Sequence, residues 1–391
     1  MSTPPSLHPS ALFEQAKELM KRRDYAAAAT ALRSAIAQDP TDHRYHAFLG
    51  HAITDNHDYW HNPEQCQRLL HNGVLDEAIG HWLKAIELGN STDWALLGLG
   101  HAYTLKADHQ KAAHFLRLAT DEKLRHEKPD FVARHRQAGS RKGPDFIVIG
   151  ATKCGTTSLY EYLCKHPQVL PAIWKEIEYF RFPERGGEWY LSHFPRIPEG
   201  PVRYVSGEAS TCYMSIWQAK DRVYAEYPQA KLIALIRDPV DKAISHVYHD
   251  RKIGCEHRTM DEAINRELDL LEALDQPFYD TEEYWKTERG YVYLAMYAYM
   301  LENWLTRFPK EQLLVIPSED LYRDPAGTVS KTLDFLGLPQ HQLASYDVHL
   351  EGQYDKNSTG GPTRERLKRF FVPHNERLYQ LLGRRLDWQK P

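Results

Sequence analysis

The chain has 391 residues, enough for one or two domains, each with a sizeable core. Its formal net charge of −4 argues against bulk nucleic-acid binding, and no apolar run approaches membrane-spanning length. The opening M-S-T-P-P-S-L-H-P-S lacks the basic-then-apolar order of a signal peptide. Five cysteines, Cys66, Cys154, Cys164, Cys212 and Cys255, form no close C-x-x-C pair. That pattern points to a reducing, cytoplasmic location and no structural zinc. Most of the 21 histidines fall in the first 140 residues without ligand spacing and read as surface or helix-packing groups.

Residues 1–10 read as a flexible N-terminus. Residues 11–121 are rich in Ala and Leu and nearly free of Pro. Three segments within them match: Tyr25 to Ile36, Leu75 to Ile86, and His109 to Ala119. Each carries one Ala seven residues before another, at Ala28 and Ala35, Ala78 and Ala85, Ala112 and Ala119. The step from Ala78 to Ala112 is 34 residues, and that from Ala28 to Ala78 is 50, one period plus an insert around 58–70. The preceding helices match too, Leu49-Gly50-His51-Ala52 against Leu99-Gly100-His101-Ala102. The pattern resembles a three-repeat tetratricopeptide (TPR) array. The resemblance implies protein binding or self-association through a curved helical face, or else a helical cap that only packs on the next domain. The insert, with Tyr59, Trp60 and Pro63, reads as a decorated loop or a short extra helix. Residues 122–143 are basic and polar and read as a last helix and linker.

Residues 144–391 change character. Phe146 to Ile149 are four apolar residues, three of them β-branched, as in a strand buried on both faces. Gly150 ends the run, Lys153 and Gly155 follow, and Thr156, Thr157 and Ser158 open a helix through Leu163. A strand, a Gly-containing turn and a helix start make a nest of N–H groups suited to phosphate, and Lys153 adds a full charge. This is not a Walker A loop. Gly150 and Gly155 have its spacing, but Thr156 stands where its Lys belongs. Cys154 reads as a small loop filler, although an anion turn can lower a thiol's pKa.

Pro167 and Pro171 mark a loop. In Lys175-Glu176-Ile177-Glu178-Tyr179-Phe180 the two carboxylates share a face if the segment is extended. Arg203 to Ser206 reads as a strand leading into G-E-A-S-T, where Glu208 either organises a loop or touches an acceptor. Ser215 to Tyr227 reads as a helix. Lys231 to Ile236 reads as a second buried strand ending on Arg237-Asp238-Pro239, and the next helix carries Ser245. Then come a helix from Glu282 to Phe308, a strand from Gln312 to Ile316, and a helix from Thr328 to Leu336. Gly352 to Thr363 is a polar, Gly-rich loop around Lys356. Arg364 to Phe371 and Pro373 to Leu382 form a basic amphipathic tail. Trp189, Tyr190, Trp217, Tyr279, Tyr284, Trp285 and Tyr291 read either as the lining of an apolar or sugar-stacking cleft or as core. The alternation predicts an α/β domain, a P-loop-like parallel sheet with helices on both faces, preceded by the all-α domain. Ligands in such sheets bind beyond the carboxyl ends of strands, where Gly150 and Arg237 both stand.

Four strings in order, over about 145–384, resemble the sulfotransferases that use 3′-phosphoadenosine 5′-phosphosulfate. They are F-I-V-I-G-A-T-K-C-G-T-T-S-L, K-E-I-E-Y-F, L-I-R-D-P-V-D-K-A-I-S-H, and D-K-N-S-T-G-G with F-F-V-P-H-N-E-R-L. The likeness is to the heparan-sulfate N- and 3-O-sulfotransferase branch and its bacterial relatives. It implies that Lys153, Cys154, Gly155, Thr156, Thr157 and Ser158 hold the 5′-phosphosulfate end, with Lys153 beside the bridging oxygen. It implies that Arg237 and Ser245 grip the 3′-phosphate and that Glu176 is the general base. Lys356, Asn357, Gly360 and Gly361 match the late loop that closes over donor and acceptor, and Lys356 joins Lys153 and Glu176 as a catalytic residue. The product would be adenosine 3′,5′-bisphosphate, the acceptor a hydroxyl on a glycan, lipid or hydroxyacyl metabolite, and no metal is demanded. The animal heparan enzymes carry a disulfide near that loop, whereas no cysteine follows Cys255 here. Two other readings stand beside this one. A P-loop kinase or NTPase would need the missing G-K-[ST] and an acidic metal site. A TPR scaffold with an inactive domain would not need Lys153, Glu176, Arg237, Ser245 and Lys356.

Overall fold

Aspartate or threonine before an apolar-periodic run starts four of the N-terminal helices. Asp24, Asp42, Thr92 and Asp108 each accept a hydrogen bond from a first-turn N–H of the helix that follows. In the computed structural model, which describes residues 7–54, 63–71, 73–89, 92–135, 138–273, 290–347 and 361–388, the chain divides into two units. The first spans Met1–Lys142 together with Ala172–Trp174 and Pro183–Pro198, and the second holds the rest.

The first unit contains α1 (Pro9–Lys21), α2 (Tyr25–Gln38), α3 (His43–Ile53), α4 (Pro63–His71), α5 (Val74–Glu87), α6 (Asp93–Leu105), α7 (His109–Glu127) and α8 (Pro129–His135). The helices pack as pairs, α1 on α2, α3 on α5 and α6 on α7, with α4 as the extra helix of the insert. Alanines 28, 35, 78, 85, 112 and 119 are all buried. Trp82 fills the centre, fully buried, and glycine is what leaves room for it. A Cβ on Gly50 or Gly98 would lie 2.5 or 2.6 Å from its ring atoms.

Two later stretches belong to this unit although their sequence lies inside the α/β block. Lys123 on α7 donates to the carbonyls of Ala172 (3.0 Å) and Ile173 (3.2 Å). Trp189 donates from Nε1 to Thr104 (2.8 Å), and Thr120 donates to the Ser192 carbonyl (2.9 Å). Trp189, Tyr190 and Phe194 are therefore core residues of the helical unit, not lining of a cleft.

The second unit is built on one five-stranded parallel sheet: β1 (Phe146–Gly150), β2 (Val169–Pro171), β3 (Val205–Ala209), β4 (Lys231–Ile236) and β5 (Leu313–Pro317), in the order β2-β3-β1-β4-β5. β1, β2 and β3 are buried along their whole length, and β4 along all but its first residue. Such burial is why β1 and β4 read as unbroken apolar runs. The stretch between Pro167 and Pro171, expected as a loop, holds edge strand β2, a position that tolerates proline because no ladder N–H is needed there. The third strand runs on through Gly207-Glu208-Ala209, past the expected end at Ser206. Gly207 lies under the Phe146 ring, 2.5 Å from where a Cβ would sit, so packing overrides its poor strand propensity.

Helices α9 (Thr156–Cys164), α10 (Ala219–Glu226), α11 (Pro239–Lys252), α12 (Met260–Glu272), α13 (Tyr297–Leu305), α14 (Ser318–Arg323), α15 (Pro325–Leu336) and α16 (Pro362–Leu382) complete the unit. The expected helix from Ser215 shortens to α10. Of Glu282 to Phe308, residues 282–289 lie outside the described residues, and the remainder forms a 3₁₀ turn at Tyr293–Ala295 and then α13. The basic tail is one helix with Pro373 inside it. Among the described residues no helix is long and apolar enough to cross a membrane.

Candidate active site

Strand order decides which turns meet. β1 pairs with β3 on one side and β4 on the other, Val148 opposite Ala209 and Ile233. The turns after these three strands therefore open at the same end of the sheet.

The turn after β1 carries Lys153 and Gly155 in the left-handed region, at φ 68° and 82°. Glycine at 155 also leaves space for the Tyr322 hydroxyl, 2.8 Å from where a Cβ would be. Gly155 is the N-cap of α9 and places no side chain over its first-turn N–H groups. Thr156 and Ser158 are buried on α9, with Thr157 beside them half-buried. Cys154 is fully buried with its sulfur 3.6 Å from the Tyr297 hydroxyl, and burial pushes its thiol up to about 11. It fills space and is not activated. Ser318, at the end of β5, donates to the Cys154 carbonyl (2.6 Å) and lies within 3.0 Å of the Ile236 carbonyl, tying the β1 turn to the end of β4.

Arg237 and Asp238 leave β4. The Asp238 carboxylate caps α11, accepting from the N–H groups of Val240 (2.9 Å) and Asp241 (3.2 Å), while its own N–H donates to Glu319 (2.9 Å). Burial first, then the Asp241 carboxylate, pushes its pKa up to about 6. A helix cap is thus its visible task. Ser245 lies buried on the second turn of α11. Burial pushes the Lys153 ammonium down. Asp250 pulls it back up, and Arg237 and Lys252 push it down further, so Lys153 and Arg237 share one electrostatic neighbourhood.

Glu176 reaches the same end of the sheet through β3. Its N–H donates to the Ala209 carbonyl (2.9 Å), and its carboxylate accepts from the Thr211 N–H (2.8 Å) and the Thr211 hydroxyl (3.2 Å). Lys175 adds an ion pair. Thr152, next to Lys153, donates to the Thr211 hydroxyl (3.1 Å), so a hydrogen-bonded chain runs from the β1 turn through Thr211 to Glu176. Thr152 and Thr211 had no signal in the sequence beyond lying in the G-A-T-K and A-S-T strings.

The segment is not extended at the two glutamates. Glu176 and Glu178 both have positive φ, 63° and 56°, and their carboxylates take different partners. Glu178 pairs with Arg181 at 3.1 Å. Glu208 is fully buried on β3 and accepts from Ser210 (2.5 Å) and Tyr213 (3.2 Å), so it organises the loop that presents Thr211. Tyr291 is buried with its hydroxyl on Asp250 and Glu256 and belongs to the core. His246 and His374 are packing groups. His246 meets the Tyr291 ring edge-on, and burial pushes His374 down to about 4. Lys356, Asn357 and Gly360, like Tyr279, Tyr284 and Trp285, lie outside the described residues, whereas Gly361 is the N-cap of α16.

Comparisons with known proteins address the same block. A family model described as a sulfotransferase domain matches residues 143–360, more than half of the chain. The membrane-associated sulfotransferase kil1 of Dictyostelium discoideum is 27% identical, over 63% of this chain and 66% of its own length. Heparan sulfate glucosamine 3-O-sulfotransferase 6 of Homo sapiens is 30% identical, over 64% of this chain and 75% of its own. The bifunctional heparan sulfate N-deacetylase/N-sulfotransferase 3 of Homo sapiens is 29% identical, over 55% of this chain but only 26% of its own length. Among solved structures, a sulfotransferase from Alicyclobacillus acidocaldarius has a TM-score of 0.51 at 28% identity, covering 63% of this chain and 99% of that one. The matched residues 143–360 are those that build the parallel sheet and the turns at its carboxyl end, and the chain belongs to the sulfotransferase family.

Proposed function

We propose that this chain transfers a sulfuryl group from 3′-phosphoadenosine 5′-phosphosulfate to a hydroxyl of a glycan-type acceptor. The observation that carries the reading is the pairing of β1 with β4, which sets the Lys153 turn and Arg237 side by side. A donor with a phosphosulfate at one end and a 3′-phosphate at the other needs two such cationic places. In the proposed reaction the acceptor oxygen forms a bond to sulfur while the bond from sulfur to the phosphate oxygen breaks. The bisphosphate leaves with the bonding pair. Glu176 takes the hydroxyl proton and Lys153 offsets charge on the departing oxygen, so positioning and electrostatics do most of the work. Lys175 and Thr211 hold the Glu176 carboxylate in one orientation, which supports its role as base. Arg237 and Ser245 take the 3′-phosphate, and Lys356, Asn357, Gly360 and Gly361 close over the reacting groups. The paired helices of the first unit support the tetratricopeptide-type reading, with a protein partner or a second copy as its ligand.

Thermal melting of the full chain tests this against the other readings. Adenosine 3′,5′-bisphosphate should raise the melting temperature and ATP with Mg²⁺ should not, since only a ligand bound by the folded state stabilises it. Stabilisation by ATP alone would favour a kinase-like activity. No shift with either ligand would favour an inactive scaffold.

A further inference from the structure

The segment that carries Glu176 leaves the helical unit and returns to it. Lys175–Phe182 belongs to the second unit, but Ala172–Trp174 before it and Pro183–Pro198 after it belong to the first. Each residue of the leading stretch is held. The Lys123 ammonium on α7 donates to the carbonyls of both Ala172 (3.0 Å) and Ile173 (3.2 Å), and a bend at Ile173 lets one ammonium reach two consecutive carbonyls. The Ile173 N–H donates to the His193 carbonyl (2.9 Å). The Trp174 ring meets His101 of α6 edge-on, with centroids 5.5 Å apart. The trailing stretch is held by the same two helices, through Thr104 on α6 and Thr120 on α7. Lys123 is 22% exposed, and its acidic neighbour Glu127, at 3.8 Å, is too far for a hydrogen bond. The ammonium thus directs its donors at backbone carbonyls of two buried residues, where a charge-assisted bond is strong.

We propose that Lys123 is a positioning residue for the general base: it fixes the point from which the chain runs on to Glu176, and so makes the helical unit part of the catalytic apparatus. The inference rests on the reading of Glu176 as base. Glu176 stands three residues after Ile173, and both it and Glu178 hold left-handed φ. Non-glycine residues keep that conformation where their surroundings fix them. Ala209, Thr211 and Lys175 hold Glu176 itself, and Lys123 holds the chain that leads into it. A loose entry would cost the carboxylate its angle to the attacking hydroxyl, and a misplacement of about 1 Å can lower a rate about 100-fold. The proposed donor contacts stand on other segments, the turns after β1 and β4. Donor affinity should therefore not depend on Lys123.

Hydrogen–deuterium exchange of the full chain reads the clamp directly, for wild type, Lys123→Met, Lys123→Arg and Gly50→Ala. Lys123→Met keeps an unbranched side chain and removes the donor. Exchange across residues 175–182 should quicken by roughly 10- to 100-fold, the worth of a hydrogen bond to a charged group. Exchange in β1 and α9 and the affinity for adenosine 3′,5′-bisphosphate should stay as in wild type. Lys123→Arg can still reach both carbonyls and should restore protection. Gly50→Ala strains the helical unit away from Lys123 and should leave residues 175–182 unchanged. Unchanged exchange in Lys123→Met, or an equal rise in Gly50→Ala, overturns the proposal. Should Lys123→Met fail to fold, Lys123→Gln, too short to span both carbonyls, decides by the same criterion. The catalytic readout is release of sulfate from the donor with water as acceptor. The water oxygen bonds to sulfur, the bond from sulfur to the phosphate oxygen breaks with its pair going to the bisphosphate, and Glu176 takes the proton. Lys123→Met should slow this release by about 10- to 100-fold in the wild-type background and should add nothing to Glu176→Gln, because the two changes act as one unit. An equal further slowing in Glu176→Gln places the effect of Lys123 elsewhere and overturns the proposal. If Glu176→Gln releases sulfate as fast as wild type, the base reading falls. If Glu176→Gln is slow and Lys123→Met is fast, Lys123 alone is misassigned.

Discussion

Glu176 and Glu178 sit two residues apart, yet the backbone sends them to different neighbours. Both adopt left-handed φ, which a non-glycine residue holds only when its surroundings fix it. For Glu176 the surroundings are the Ala209 carbonyl, Thr211 and Lys175. Glu178 has the Ser210 hydroxyl at its N–H and an exposed Arg181 at its carboxylate. The proposed base is therefore the glutamate wired to the β1 turn. Glu176→Gln keeps size and most hydrogen bonding but cannot accept a proton. Turnover should fall by about 10² to 10⁴ with donor affinity little changed. Glu178→Gln removes an ion pair to the exposed Arg181 and leaves the Thr152–Thr211–Glu176 chain intact, so turnover should stay near normal. Steady-state rates of both variants at saturating donor check this, and a collapse confined to Glu178→Gln would move the base to that residue.

At the scale of elements, helix–helix approach in the first unit depends on absent side chains. Trp82 on α5 lies against Gly50 on α3 and Gly98 on α6, too close for a methyl group on either. The indole is fully buried and has nowhere to retreat. Gly50→Ala should cost about 1–3 kcal/mol by overpacking, although alanine is the better helix former. Gly80 is the control: it is an exposed residue of α5 with nothing near its would-be Cβ. Gly80→Ala should be neutral or stabilising by up to about 1 kcal/mol. Urea unfolding of the full chain reads both. Equal midpoint shifts in the same direction would refute the account of Trp82.

At the scale of the molecule, a break near Gly143 suggests that residues 140–391 would stand alone. The first unit, however, takes in Ala172–Trp174 and Pro183–Pro198 as well. Without residues 1–139, Trp189 loses Thr104 and Ser192 loses Thr120, and the aromatic side chains of Trp189, Tyr190 and Phe194 lose cover. Exposing each such side chain costs about 1.5–3 kcal/mol. These two stretches bracket Lys175–Phe182, the segment that carries Glu176. A truncated chain of residues 140–391 should therefore be aggregation-prone and cut by protease within 183–198, and it should bind donor poorly. A monomeric, protease-resistant fragment with full donor affinity would restore the simple modular picture.

Local chemistry was legible from residue order alone. Strands buried on both faces carry unbroken apolar runs, so β1 and β4 could be placed from Phe146 to Ile149 and from Lys231 to Ile236. A glycine turn before a helix announces itself within a dozen residues, and alanines seven apart mark helices that pack closely. The parallel α/β architecture and the sulfotransferase family followed from such strings. What local order does not encode is which strand lies beside which. The order β2-β3-β1-β4-β5 alone brings Thr211 to Glu176 and Thr152, sets Ser318 across two turns, and puts the ends of β1 and β4 together. The edge strand at Val169–Pro171 was hidden because its length is three residues and its last is proline. The helical unit's hold on residues 183–198, and the Lys123 ammonium on the carbonyls of Ala172 and Ile173, arise between residues far apart in sequence. Their energies come from burial and charge proximity, which exist only once the chain has folded.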